Sequence, residues 1–373
     1  MVPRPLHLLL LFLVTGCTRD NPEFVGAGDG PIQPADGGRR DRGLDRGHVD
    51  RGGPLDLGPD RQINPNKPNG VDVLLVVDNS GGMGYPQQWL ARDISTLVNG
   101  LDKLPGGPNY RLGVTTTDMG VGMYSNAGCT AAGDGAELLI PSSCPKPQGN
   151  VRYVQRIGTS TNVQGSVSQA VSCMVKQGTG GCGFEQALKA MKTALTSANK
   201  GFLRSDAALA VVLLTNEDDC SAASNTLFNP NDAALGPYAS YRCFQHGVLC
   251  SGAKPPLKQT LLSGCMPGQQ WLHDIQSEYV NFLNSLKPSG WLSLLVIAAP
   301  AADPVTVLQL SSQYPPTYEV KESCSAGSLD GYPSFRLEDL VNRFGSLAGF
   351  ASICDSSYNP GLQSLLLRIQ SAF

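Results

Sequence analysis

The residues best suited to chemistry gather just after apolar runs. Val71-Asp72-Val73-Leu74-Leu75-Val76-Val77 leads into Asp78-Asn79-Ser80-Gly81-Gly82-Met83. The run from Ala207 to Leu214 leads into Thr215-Asn216-Glu217-Asp218-Asp219-Cys220, and Tyr110 to Thr115 leads into Thr116-Thr117-Asp118-Met119-Gly120. Carboxylate, amide and hydroxyl oxygens are what hard divalent cations take as ligands, at about 2.0–2.6 Å. Three such segments brought to one edge could supply a site for Mg²⁺, Mn²⁺ or Ca²⁺.

Other chemistries find less support. There is no Gly-x-Ser-x-Gly elbow and no Walker-type phosphate loop. Ser80 follows a strand, as a nucleophile would, but no histidine is identifiable as its base, which leaves a hydrolase as the minor alternative. The four histidines are His7, His48, His246 and His273, and the last falls in a helical pattern as a surface residue. Cys243, His246 and Cys250 permit a zinc reading, against which stands a disulfide reading suited to an exported chain.

Three runs fit strands buried on both faces of a parallel sheet: Val71–Val77, Ala207–Leu214 and Trp291–Ala298. Helical patterns lie between them, one through Phe184, Leu188, Met191 and Leu195, another through Leu272, Ile275, Tyr279, Phe282, Leu283 and Leu286. Strands alternating with helices predict an α/β fold with a doubly wound, mostly parallel central sheet flanked by helices. Ligands of such sheets bind beyond the carboxyl ends of the strands, where the oxygen-rich segments sit. Two amphipathic stretches, Phe335–Phe344 and Leu362–Ile369, read as helices that complete the domain.

The segment Val73 to Met83, VLLVVDNSGGM, resembles the first strand and metal-ion-dependent adhesion site of von Willebrand factor type A (vWA) domains, whose pattern is Asp-x-Ser-x-Ser. Thr179 to Leu188 resembles the loop and helix start carrying that family's metal-site threonine, and Val211 to Asp218 the strand carrying its second aspartate. The match spans roughly residues 71 to 299 and points to a cysteine-rich bacterial branch. The resemblance implies a Rossmann-like fold and one divalent cation. It implies Asp78, Ser80 and Asn216 as metal-site positions, with Glu185, Asp218 or Asp219 able to compensate for missing ligands. Asn79, Gly82, Thr117, Asp118, Gly181 and Asp219 form the expected ligand-binding face. The pattern is degenerate, because Gly82 stands at the second serine, Cys182 at the threonine and Asn216 at the second aspartate. The competing reading has Asp78 bonding the amides of its own turn and capping the next helix, with no ion.

Residues 1–16 read as a signal peptide, with Arg4 ahead of an apolar core from Leu8 to Val14 that is too short to span a bilayer of about 30 Å. Val14-Thr15-Gly16-Cys17 resembles the bacterial lipobox, which implies acylation of Cys17, with diacylglycerol and a fatty acid such as palmitate; Thr18 implies sorting to the outer membrane. Residues 17–70, rich in Gly, Pro, Asp and Arg, read as a disordered tether. In its Asp-Arg-Gly repeats each arginine is cancelled by an aspartate, and the whole chain carries a net charge of −3, so nucleic acid is not an expected partner.

Of eleven cysteines, setting Cys17 aside leaves an even ten for disulfides within residues 71–373: Cys129, Cys144, Cys173, Cys182, Cys220, Cys243, Cys250, Cys265, Cys324 and Cys354. Proximity favours Cys129 with Cys144, Cys173 with Cys182, and Cys324 with Cys354, and confines the other four to one insertion. Cysteine-rich insertions are expected at about 120–178 and 220–268. The combined expectation is a non-enzymatic, lipid-anchored envelope protein that binds a protein or glycan through its strand-end loops. The alternative is a metal-independent scaffold of the envelope.

Overall fold

The computed structural model describes residues 66–125, 128–311 and 314–373. Of two units that divide between Asp60 and Arg61, only the second falls within these residues. The signal peptide, Cys17 and the tether up to residue 65 lie outside them.

Seven strands form the central sheet: β1 (Val71–Val77), β2 (Asn109–Thr116), β3 (Tyr153–Ile157), β4 (Ser160–Thr161), β5 (Ala208–Leu214), β6 (Leu292–Ala298) and β7 (Ala348–Ser352). Their order is β7-β6-β5-β1-β2-β3-β4. The first five of that series run parallel, and β3 and β4 close one edge antiparallel. β1 shows why its sequence is apolar without alternation. Val73, Leu75 and Val77 enter one core while Leu74 and Val76 enter the other, so both faces are covered. Asp72, the polar exception, is buried against Arg204 at 2.7 Å.

Helices α1 (Gly84–Leu101), α2 (Val167–Met174) and α7 (Asn359–Gln370) cover the first face, burying Leu90, Val171 and Leu362 among other side chains. On the second face lie α3 (Ala187–Thr193), α5 (Asn281–Leu286) and α6 (Phe335–Phe344), through Leu188, Leu283 and Leu337. A further helix, α4 (Tyr241–Gly247), belongs to the insertion after β5. The chain is thus mixed α/β with a mostly parallel sheet between two helical layers.

Several sequence-based expectations shift. Residues 120–178 are not simply an insertion, since they supply β3, β4 and α2. Phe184 precedes α3 rather than sharing its face, and packs instead on Phe228 and Tyr238 at 4.9 and 5.1 Å between ring centres. Leu272 lies ahead of the next helical stretch, bridged to Ala222. His273 is likewise not on a helix: its amide donates to Ser221 O at 3.0 Å and its ring meets Tyr279.

Strand register brings the oxygen-rich segments together. Val77 lies opposite both Thr116 and Leu214, so β1, β2 and β5 end level with one another. The residues just beyond them, Asp78, Thr117 and Thr215, therefore meet at one edge.

Candidate functional site at the strand ends

Asp78 is the hub of this edge and is shielded from solvent. Its Oδ1 accepts Ser80 N at 2.7 Å, and the Thr117 hydroxyl lies 3.5 Å from the same oxygen. Its Oδ2 accepts the Thr215 hydroxyl at 2.9 Å. Asp78 does bond the amide of its own turn, but it does not cap α1, which begins at Gly84 behind Met83 with no side-chain cap.

Two more acids join it. Burial holds the Glu185 carboxyl well above the usual carboxylate range, and the charges of Glu217 and Asp78 push it the same way. Burial first, then the charge of Asp78, pushes the half-buried Glu217 up to about 8, with Glu185 beside it acting the other way. Burial also raises Asp78. The nearby Ser80 hydroxyl favours the ionised form of Glu185, against the effect of burial. Buried acceptors remain without a donor, namely Glu185 Oε1, Asn216 Oδ1 and Asn79 Oδ1. Glu217 is a member of this cluster that sequence reasoning misses.

Asp218 and Asp219 point elsewhere. Asp218 accepts the amide of Arg336 at 3.1 and 3.0 Å and that of Leu337 at 3.2 Å, which caps α6 and occupies both its oxygens. Burial nonetheless lifts Asp218 to about 7. Asp219 accepts Leu188 N at the start of α3 at 2.9 Å and pairs with buried Arg336. Both acids fasten helices to the loop after β5.

The remaining face residues build a framework. Gly181 N donates to Asn79 O at 2.7 Å, and Asn79 Nδ2 donates to Asp134 Oδ2 at 3.1 Å. Asp118 accepts Gly120 N at 2.9 Å and Cys182 N at 3.2 Å. Asn216 Nδ2 donates to Asp330 O at 3.2 Å. Gly82 has φ +88°, a left-handed conformation that strains a serine at this position, and the space where its Cβ would stand meets only Asn216 Nδ2 at 3.6 Å.

All ten expected disulfide cysteines are bonded, but two pairings differ. Cys129 pairs with Cys182 and Cys144 with Cys173, not Cys129 with Cys144 and Cys173 with Cys182. Backbone bonds from Val121 to Thr130 and from Gly122 to Ala131 fold Cys129 back to the site edge beside Cys182. Cys144 instead packs in the α1/α2 core against Cys173. Cys324–Cys354 is as expected, and the insertion resolves into Cys220–Cys243 and Cys250–Cys265. These last two bonds remove the thiolates that a zinc site at His246 would need.

Glu185, Glu217 and Asp78 are oxygen donors of the kind a hard cation takes, and a buried carboxylate oxygen without a donor calls for a proton or a metal. Among the described residues no group of three or more His, Cys, Asp or Glu side chains is arranged to hold a metal ion. Two carboxylates with the neutral oxygens of Ser80, Asn216 and water would be a sparser set, of the kind Mg²⁺ accepts. No helix among the described residues is long and apolar enough to cross a membrane. The chain matches no known family model and no curated protein.

Proposed function

We propose that this chain is a non-enzymatic, lipid-anchored binding module of the bacterial envelope, with a vWA-like domain that engages a protein or glycan through the loops beyond β1, β2 and β5. A divalent cation held by Asp78 and Glu185 with the neutral oxygens of Ser80 and Asn216 takes part in that binding. The observation that carries this reading is the cluster of buried Asp78 and Glu185 with half-buried Glu217, in which Glu185 Oε1 lacks a donor. The cation would neutralise charge that burial makes costly. The placement of Asp78 at the carboxyl end of the central strand supports the vWA-like assignment. Export, acylation of Cys17 and retention at the outer membrane rest on the N-terminal sequence. They draw support from five disulfides that use every cysteine after it.

The test is metal content after dialysis together with capture of envelope proteins and glycans with and without EDTA. The reading expects uptake of Mg²⁺, Mn²⁺ or Ca²⁺ that is lost in Asp78→Ala, and capture that EDTA abolishes. Absence of uptake in the unaltered protein overturns the cation. A second reading, a metal-independent scaffold, is favoured by the commitment of Asn216 Nδ2 to Asp330 O and of Cys182 to a disulfide. It expects capture that EDTA leaves intact.

A further inference from the structure

Next to Glu217 the chain leaves a cleft of ≈ 210 Å³. Its walls come from three separate stretches: the loop after β5, α4 with the residues before it, and Leu310, residues 317–320, Tyr332 and Pro333. Aromatic rings dominate the interior, with Tyr241 lying 5.7 Å from Phe244 and 6.0 Å from Tyr318 between ring centres, and Tyr332 beside them. The half-exposed Glu319 supplies the charge, with the Glu217 carboxyl lining the same space. Among the described residues, no lysine, arginine or histidine lines the space. Arg336, a cation bound to this loop, is held by Asp219. The field is felt by Tyr332, whose phenol is pushed up to about 12 by burial and then by Glu319, Glu217, Asp330 and Glu322.

A concave site with ring walls and one sign of charge selects its ligand by both features. Aromatic faces attract organic cations and cover their aliphatic stems, and unpaired carboxylates hold the cationic head. An arriving cation also favours the ionised form of any acid beside it. A bare metal ion makes no use of rings, and an anion is repelled.

We propose that this cleft receives a single organic cation, an ammonium or guanidinium group on an aliphatic stem, presented as a lysine or arginine side chain of a protein partner. Glu319 faces the charge, and Tyr241, Phe244, Tyr318 and Tyr332 enclose the stem. The proposal rests on the reading above only in treating the strand-end loops as a binding face, and it needs no divalent cation.

The experiment titrates the full chain, in EDTA, with Nα-acetyl-lysine amide, Nα-acetyl-arginine amide and the neutral isostere Nα-acetyl-norleucine amide, followed by NMR or calorimetry. The cationic amides are expected to bind saturably with Kd about 1 mM, the range open to a ligand of this size, and about tenfold more tightly than norleucine amide. Glu319→Gln, at a half-exposed position, weakens them about fivefold, the scale of one exposed charge contact. Glu319→Lys, which places an ammonium in the cleft, abolishes binding. Equal affinity for the three amides, or cationic binding indifferent to both Glu319 variants, overturns the proposal. Because EDTA is present throughout, failure here leaves the divalent-cation reading untouched, and failure of metal uptake leaves this one standing.

Discussion

Asp219 and Arg336 form an ion pair sealed from solvent, in which Asp219 Oδ2 accepts from both Nε and Nη2 of Arg336 at 3.2 Å. The same carboxylate caps the start of α3 through Leu188 N, while Arg336 sits at the start of α6 and reaches His273 O at 2.8 Å. One contact therefore ties two helices and the chain before α5 to the loop that carries Glu217.

Arg336→Met strands a buried carboxylate and is expected to cost about 3–5 kcal/mol of stability in urea unfolding. The double variant Arg336→Met with Asp219→Asn, which removes the stranded charge, is expected to cost less than Arg336→Met alone. A loss below about 1 kcal/mol for the single variant, the level of an exposed pair, would show that the pair carries little of the structure.

Stability is expected to fall as pH rises from about 6.5 to about 8 in EDTA. Glu217 titrates at about 8 when folded, against an ordinary 4.5. Within that interval the folded chain keeps a proton that the unfolded chain has released, so the contribution is complete below about 4.5 and gone above about 8. Asp218, lifted to about 7, acts in the same direction. His246, which burial lowers from 6.5 to about 4, works in the opposite direction, but only below its ordinary value. Denaturant midpoints measured across this range should decline, and Glu217→Gln should make the decline shallower. A flat profile in the unaltered chain would contradict the burial of that carboxyl.

Replacing Cys129 and Cys182 together by serine is expected to loosen the binding face more than the sheet. Cys182 N is one of two amides held by Asp118, and Gly181 N holds Asn79 O. Hydrogen exchange should speed up at residues 179–186 while the amides of β1 and β5 stay protected. Uniform acceleration across β1 would show the bond to be a global staple.

Gly181→Ala is expected to impair capture with a modest loss of stability. Its Cβ would stand 2.2 Å from Asn79 Oδ1, so the Asn79 side chain must swing away from Asp134. Because the atom displaced is the end of a side chain, the fold survives and the face is altered. Unchanged capture by a folded Gly181→Ala protein would remove Asn79 from the binding surface.

The central strands are legible in the sequence because burial on both faces leaves no polar alternation, as Leu74 and Leu75 illustrate by feeding opposite cores. β7 is hidden for the converse reason: it is an edge strand of Ala348–Ser352, mostly half-buried, with a glycine and a serine among its five residues. At the site, Asp78 is legible from its place after an apolar strand. Glu217, Asp218 and Asp219 are consecutive acids in a loop, where no periodicity tells which one turns toward Asp78 and which ones cap helices. The disulfides show a similar limit. Nearness along the chain places Cys129 with Cys144, but the backbone ladder between Val121 and Thr130 returns Cys129 to a different core from the one that receives Cys144.

The level ends of β1, β2 and β5 also fix an orientation. Asn69, just ahead of β1, donates its amide to Asp206 O, just ahead of β5, and Lys67 reaches the carbonyl oxygen of Phe373. Both ends of the described chain thus leave from the edge opposite Asp78, a strand's length away. Immobilised by either end on a bead, a sensor chip or a vesicle, the domain would turn its strand-end loops outward, unobstructed by its own attachment.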